Sequence, residues 1–99
     1  MGQPLLTLLA ALLLAACAHP TGGAPPVVYA CDDGSQLSVR FEPELARVTL
    51  ATGEELSLPQ QRAASGIWYA TPRHELRGKG GEATWTTGRR VPVACRVKP

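Results

Sequence analysis

The sequence is poor in the residues on which most enzyme and metal sites depend. It contains two histidines, His19 and His74, and only His74 lies in the part of the chain that can pack into a domain. A metal site or a Ser-His-Asp relay would therefore depend on that one side chain, and no nucleophile elbow or acid-rich motif accompanies it. We expect no catalysis, metal or cofactor, and a hydrolase centred on His74 is the catalytic alternative.

A long apolar run is also missing. The most extended one, residues 5–16, contains about a dozen residues without a charge, which is signal-peptide length and short of the roughly 20 residues that a spanning helix needs. The sequence LAAC that ends at Cys17 resembles the lipobox of bacterial lipoproteins, whose cysteine carries lipid after cleavage. We therefore expect residues 1–16 to be a signal peptide and Cys17 to be lipidated.

The lipidated cysteine predicts attachment to a membrane. Several acyl chains on one residue anchor a protein stably, at roughly 0.8 kcal/mol per buried methylene. Ala18 is not the Asp that typically retains such proteins in the inner membrane, so we expect an outer-membrane lipoprotein that faces the periplasm. Residues 1–4 lack Lys and Arg, which leaves an ordinary cleaved signal with a chance cysteine as the alternative.

A flexible tether follows the lipidation position. Residues 17–26 are rich in Pro and Gly and poor in side chains that can pack. The nine residues after Cys17 reach at most about 30 Å. We expect them to hold a domain of residues 27–99 away from the bilayer.

Cysteine is scarce, and its number predicts one disulfide. Of the three cysteines, Cys17 is assigned to the lipid, which leaves Cys31 and Cys95 as a pair in an oxidising compartment. The bond would close a loop of roughly 65 residues and stabilise the domain by about 4 kcal/mol. Such a small domain, of about 70 residues, is near the size at which burial alone gives only a few kcal/mol.

Helical periodicity is absent from the domain, and short runs alternate between apolar and polar residues, which indicates β-strands. The expected strands are residues 27–31, 36–41, 46–51, 55–58, 60–64, 67–71, 75–77, 83–86 and 91–97. Turn residues separate them at 32–34, 52–53, 65–66, 78–81 and 87–88. We expect the inward side chains to be Leu37, Val39, Phe41, Val48, Leu50, Leu56, Leu58, Ile67 and Tyr69. The pattern predicts an all-β fold, a small antiparallel barrel or sandwich.

Charge is uneven along the domain. Residues 27–61 carry six acidic residues against two arginines, and residues 62–99 carry eight basic residues against two glutamates. A basic half can bind an anionic polymer, a lipid surface or an acidic cleft on a protein. The alternative is that the strands interleave, so that the charges form one mixed, solvated surface. Export makes nucleic acid an unexpected partner.

The sequence RGKGGEATW, residues 77–85, is not a phosphate-binding loop. It lacks the first glycine of a P-loop, and Gly80 stands where Ser or Thr should follow Lys79. No helix is expected after it to direct an N-terminus at a phosphate. The segment is instead expected to be a hairpin.

Four short motifs together resemble one family. They are Tyr29-x-Cys31-x-Asp33-Gly34, Ser65-Gly66-x-x-Tyr69, Gly78-Lys79-Gly80-x-Glu82-Ala83 and a final Cys95. With the lipobox, this combination is similar to the membrane-bound inhibitors of C-type lysozyme. Trp68 and Trp85 are bulkier than the residues usual at these positions in that family.

The resemblance implies an eight-stranded antiparallel barrel and a protein partner, C-type lysozyme. It also implies that two loops reach into the lysozyme cleft, one through Ser65 and one through Lys79. Gly66, Trp68 and Tyr69 belong to the first loop and are included in the expected binding site. The expected function is inhibition that protects bacterial peptidoglycan, with no small-molecule substrate.

Each expected site residue also has a structural explanation. Ser65 is a common turn residue and Lys79 a common solvated hairpin residue. Trp68 is either an interface anchor or a cover for a barrel end, and Tyr69 is also a core candidate. The alternative function is a structural or binding outer-membrane lipoprotein that contacts envelope glycan or protein through its basic half.

Overall fold

The computed structural model describes residues 25–99. The expected signal peptide, the lipidated Cys17 and residues 17–24 of the expected tether lie outside the described residues. Within residues 25–99 no helix has the length and apolarity needed to cross a bilayer.

Eight antiparallel strands form a single sheet. They are β1 (Val27–Cys31), β2 (Gln36–Glu42), β3 (Leu45–Leu50), β4 (Glu55–Pro59), β5 (Ile67–Ala70), β6 (His74–Lys79), β7 (Glu82–Thr87) and β8 (Val93–Val97). The order across the sheet is β4-β3-β2-β1-β8-β7-β6-β5, so neighbours along the chain are neighbours in space and the first strand pairs with the last. The expected all-β, eight-stranded barrel is confirmed.

The barrel closes through a narrow seam between β4 and β5. There the ladder is reduced to one bridge, between Gln60 and Tyr69. The Gln61 N–H donates to the Trp68 carbonyl at 2.7 Å beside it. The sheet is therefore a nearly closed barrel whose weakest backbone pairing lies at this seam.

Residues 60–64 are not a strand, so alternation predicted one strand too many, nine instead of the eight that the family resemblance implies. The segment has no row of apolar side chains to bury, because Ala63 and Ala64 are its only apolar residues and they are adjacent. It crosses from β4 to β5 as an irregular connection. Ser65 and Gly66 consequently end a longer loop and do not form the expected hairpin turn. The last strand begins at Val93, after Pro92, instead of at Val91.

Alternating side chains fill the interior. Five of the expected inward residues are buried, namely Leu37, Val39, Val48, Leu58 and Tyr69, and the other four, Phe41, Leu50, Leu56 and Ile67, pack against the core from its margins. The structure adds Tyr29, Ala46, Leu76, Ala83 and Trp85 to the core. The expected Cys31–Cys95 disulfide is confirmed: the two residues are register partners on β1 and β8.

The strand order keeps the acid-rich half of the domain apart from the base-rich half. The acidic part of the domain forms β1 to β4 on one side of the barrel, and the basic part supplies β5 to β8 on the other. The interleaving that would have mixed the charges does not occur. Because consecutive strands are neighbours, the uneven distribution of charge along the chain becomes an uneven distribution around the barrel.

The alternating strand directions define two ends. The proximal end is where β1 begins, and it also carries the β2–β3, β4–β5 and β6–β7 connections. The distal end carries the β1–β2, β3–β4, β5–β6 and β7–β8 connections. The strands of four to seven residues separate the ends by about 20 Å.

Candidate functional site

Ser65 and Lys79 lie at the proximal end, on separate connections. Ser65 is in the β4–β5 loop, and Lys79 is the last residue of β6. Both residues are exposed. They line the same surface groove, which has a volume of about 450 Å³. The barrel thus brings together two residues that are fourteen positions apart in the sequence.

The β6–β7 hairpin is tighter than the sequence suggests. Lys79 pairs with Glu82, so only Gly80 and Gly81 form the turn. Gly80 has a φ of +63°, whereas Gly81 is outside the positive region, as a type II′ hairpin turn requires. A side-chain Cβ at either turn glycine would meet nothing within 4 Å. The hairpin tip is therefore narrow and surrounded by open space.

A backbone contact between Gly66 and Gly78 holds the two connections together. Gly66 has a φ of +75°, and a Cβ on it would collide with the Gly78 carbonyl oxygen and come within 3.3 Å of the Lys79 Cβ. A Cβ on Gly78 would in turn collide with the Glu82 carbonyl oxygen and lie 2.7 Å from Ala83. The absence of side chains at both glycines lets the β4–β5 loop rest directly on β6.

The groove beside Ser65 is mainly cationic. Arg77, Lys79 and Arg96 line it together with one acidic residue, Glu82. Arg96 lies 3.9 Å from the Glu82 carboxylate. Within residues 25–99, the Lys79 ammonium makes no ion pair and no hydrogen bond. Lys79 is thus a cation that is available to an anionic partner.

Trp68 lies on the outer surface of β5 and does not cover a barrel end. Its ring N–H donates to Glu75 Oε2 at 2.7 Å, and the Arg77 guanidinium lies 4.1 Å from its ring centroid. Trp68 is half-buried by these contacts. The stacked Arg77 connects the tryptophan to the groove that holds Ser65 and Lys79.

Tyr69 points inward and belongs to the core. It is only 6% exposed, and its ring lies 5.5 Å from that of Phe41. Tyr69 and Tyr29 line an apolar mouth of about 540 Å³ at the proximal end, beside Gly66 and Lys79. Burial, and secondarily the nearby Tyr69, raises the pKa of Tyr29 above its usual value. The Tyr29 hydroxyl therefore favours the neutral form.

His74 lies far from this site, at the distal start of β6. It is half-buried, and its ring stacks on Trp85 with a centroid distance of 5.4 Å. In the part of the chain that the structure describes, no group of three or more His, Cys, Asp or Glu residues is arranged to hold a metal ion.

Two contributors to the site were not identified from the sequence. Gly78 was expected in the turn of residues 78–81, but it lies within β6 and contacts Gly66 and Ala83. A glycine inside a strand often marks a close backbone approach, which was the available signal. The position of Arg96 on the groove depends on the β7–β8 register and has no local signal.

Comparison with known families gives one match. A family model described as membrane-bound lysozyme-inhibitor of c-type lysozyme matches residues 29–94, which is more than half of the chain. No curated protein and no solved structure matches the chain. The matched segment contains Ser65, Lys79 and the glycines that bring their connections together.

Proposed function

The chain belongs to the family of membrane-bound inhibitors of c-type lysozyme, and on this basis we propose that its proximal end plugs the lysozyme active-site cleft. In this proposal Ser65 and Lys79 contact the two catalytic carboxyl groups and keep peptidoglycan out. The family is one of inhibitors and not of enzymes, so the chain itself has no catalytic step. The observation that supports the proposal is that Ser65 and Lys79 line one groove.

The chemistry of the target fits a serine hydroxyl. A retaining glycosidase holds its two carboxyl groups about 5–5.5 Å apart, one protonated and one ionised. A hydroxyl accepts one hydrogen bond and donates another, and two bonds of roughly 2.7 Å span that gap. Ser65 accepts from the protonated acid and donates to the carboxylate in this arrangement.

Lys79 supplies the positive charge. Its ammonium donates a charge-assisted hydrogen bond to the ionised carboxylate, which is stronger than a bond between neutral groups. Two features of the structure favour this role: Lys79 has no ionic partner among residues 25–99, and the adjacent Gly80 and Gly81 have open space around them. A narrow tip can enter a cleft that a bulkier hairpin would not fit.

The neighbouring residues have supporting roles in the proposal. Gly66 sets the position of Ser65 through its contact with Gly78. Trp68, held by Glu75 and Arg77, forms a rigid flank that packs against the rim of the cleft. Tyr69 acts from the core, by supporting the start of β5.

Attachment completes the proposed function. The family is membrane-bound, and we propose that a lipid on Cys17 provides the attachment after removal of residues 1–16. Residues 17–26 then act as the tether and the barrel faces the periplasm from the outer membrane. There it intercepts lysozyme before the enzyme reaches the peptidoglycan.

Single substitutions test the cleft-plug mechanism. Lys79→Ala should weaken binding to a c-type lysozyme by about 2–5 kcal/mol, because a desolvated carboxylate loses its partner. Ser65→Ala should cost roughly 1–3 kcal/mol. The measurement is inhibition of cell-wall lysis, followed by turbidity, with the binding constant determined in parallel.

Two substitutions of the same kind serve as controls. Lys98→Ala removes another exposed lysine, and Ser57→Ala another exposed serine, and neither residue lines the groove. Both controls should inhibit like the parent. Equal inhibition by the parent, Lys79→Ala and Ser65→Ala would exclude the mechanism.

A further inference from the structure

Three arginines cluster at the distal end, on two adjacent connections. Arg73 is in the β5–β6 connection, and Arg89 and Arg90 are in the β7–β8 connection. The Gly88 N–H donates to the Arg73 carbonyl at 2.7 Å, and the Arg90 N–H donates to the Thr87 carbonyl at 3.0 Å. The first bond joins the two connections, and the second closes a turn within the β7–β8 connection. We call Arg73, Arg89 and Arg90 the arginine patch.

The arginine patch is not neutralised by the barrel. Within residues 25–99, none of the three guanidinium groups makes an ion pair or a side-chain hydrogen bond. Two other arginines are engaged, since Arg47 donates to Glu42 at 2.7 Å and Arg77 stacks on Trp68. All three patch residues are exposed, and the adjacent Val91 is 80% exposed.

Acidic residues at the same end belong to the other half of the barrel. Asp32, Asp33, Glu54 and Glu55 lie on or beside the β1–β2 and β3–β4 connections. The Asp33 carboxylate already has partners next to it in the chain, because it accepts hydrogen bonds from the Ser35 hydroxyl at 2.6 Å and from the Ser35 N–H at 2.9 Å. The Ser35 hydroxyl and backbone bonds lower the pKa of Asp33. The acidic residues of the distal end thus come from one half of the barrel and the arginines from the other, and the two sets meet where Asp33 and Arg90 line one surface pocket.

We propose that the arginine patch binds an anionic polysaccharide. A guanidinium group forms paired hydrogen bonds with carboxylate, sulfate or phosphate groups. Exposed loops that present several cations without a deep pocket suit a chain of repeating charges. The patch also lies at the end opposite the start of β1, so it points away from the bilayer to which the proposed tether leads.

The patch and the lysozyme site are independent. They lie at opposite ends, about 20 Å apart, so one barrel binds a polysaccharide and a lysozyme at the same time. Polysaccharide binding then concentrates the inhibitor beside the polymer layer without using Ser65 or Lys79. This function is additional to inhibition and does not depend on it.

The test uses the barrel of residues 25–99, which contains all eight strands, the core and the disulfide. The probes are heparin for sulfate, hyaluronate for carboxylate, and vesicles rich in phosphatidylglycerol for a lipid surface. Arg89→Gln/Arg90→Gln should weaken binding to the polysaccharides about tenfold at low salt and leave lysozyme inhibition unchanged. Arg40→Gln/Lys98→Gln removes the same charge from exposed positions elsewhere and should bind like the parent.

Three results would overturn the proposal. The first is no binding of the parent to either polysaccharide at low salt. The second is an equal loss in the patch variant and the control, which would mean that net charge alone is responsible. The third is strong binding to the vesicles with weak binding to both polysaccharides, which would make a lipid surface the partner.

Discussion

Gly66 and Gly78 allow two segments of backbone to touch, and their contact determines where Ser65 lies relative to Lys79. Gly66 adopts a φ of +75°, which costs an L side chain energy. Gly78 has an ordinary φ, but its Cα is enclosed by Glu82 and Ala83. The two glycines therefore serve the site in different ways, Gly66 through conformation and contact, and Gly78 through contact alone.

Substitution of Gly78 by alanine should destabilise the barrel and displace Ser65. The new Cβ would lie 2.7 Å from both the Cα and the Cβ of Ala83, in the middle of paired strands. We expect a loss of about 1–3 kcal/mol in the free energy of unfolding, together with weaker lysozyme inhibition. Urea unfolding followed by tryptophan fluorescence measures the first effect and the turbidity assay the second.

Gly81→Ala is the matched control in the same hairpin. Its Cβ meets nothing within 4 Å, and its φ is outside the positive region. We expect a change within about 0.5 kcal/mol. Equal urea midpoints for Gly78→Ala and Gly81→Ala would contradict the packing role of Gly78.

Tyr29 should make the barrel sensitive to alkaline pH. Burial raises the pKa of Tyr29 above the ordinary value of 10.0, so the folded state holds the phenolic proton more tightly than the unfolded state does. The resulting stabilisation is complete below pH 10 and is lost as the pH rises through the folded pKa. Unfolding followed between neutral and alkaline pH should show this loss in the parent and a smaller loss in Tyr29→Phe. A pH dependence of the same size in both proteins would assign the effect to other groups.

At the scale of the strands, the β1–β8 pairing is stronger than the β4–β5 pairing. Strand β1 pairs with β8 over three register positions and is also joined to it by the Cys31–Cys95 disulfide. Strands β4 and β5 meet through one bridge. The covalent bond thus secures the pairing between the first and last strands, which is the one most distant in sequence and most costly in chain entropy.

Removal of the disulfide should be strongly destabilising. The two cysteines are 64 residues apart in sequence, for which loss of the cross-link corresponds to about 4 kcal/mol. Cys31→Ala/Cys95→Ala should therefore unfold at much lower urea than the oxidised parent. The parent unfolded in the presence of a reductant is the control and should approach the double variant. Coincident unfolding curves for the oxidised and reduced parent would contradict this prediction.

At the scale of the whole molecule, the proposed lysozyme site and the start of the described chain share one end. Val27 begins β1 beside Gly66 and Lys79, and all three line the same apolar mouth. A membrane anchor that precedes β1 would thus draw the lysozyme site toward the bilayer. Access for a protein about 30 Å across then depends on the reach of the tether.

Deletion of residues 19–24 should impair the anchored inhibitor selectively. The expected tether would shorten from a reach of about 30 Å to about 10 Å, which leaves too little space for lysozyme. The chain from Cys17 onward can be attached through that thiol to a maleimide lipid in vesicles. We expect at least about a tenfold loss of inhibition on vesicles.

The same deletion tested in solution is the control. Without a bilayer the shortened chain should inhibit like the full tether, because the barrel and its proximal end are unchanged. Undiminished inhibition on vesicles would contradict the orientation inferred for the anchored protein.

Most of the fold was predictable from the sequence, because the alternation of apolar and polar residues within a strand shows which side chains face inward. The period of two in β2, for example, identified Leu37 and Val39 as inward residues, and both are buried. Residues 60–64 were assigned wrongly because a short polar segment with two adjacent alanines carries almost no periodic signal. The packing of Gly78 was missed because its neighbours come from β7 and the β4–β5 loop.

The sequence by itself therefore determined most of the β-strands and the family motifs around Ser65 and Lys79 through local pattern, and the pairing of Cys31 with Cys95 through the number of cysteines. Tertiary structure alone decided which of these features meet. The strand order separated the acidic half from the basic half, and the contact between Gly66 and Gly78 placed Ser65 beside Lys79. It also placed Arg73 next to Arg89 and Arg90 at the other end. The physical reason is that alternation and motif spacing depend on residues close in sequence, whereas these contacts depend on strand direction, register and closure of the whole barrel.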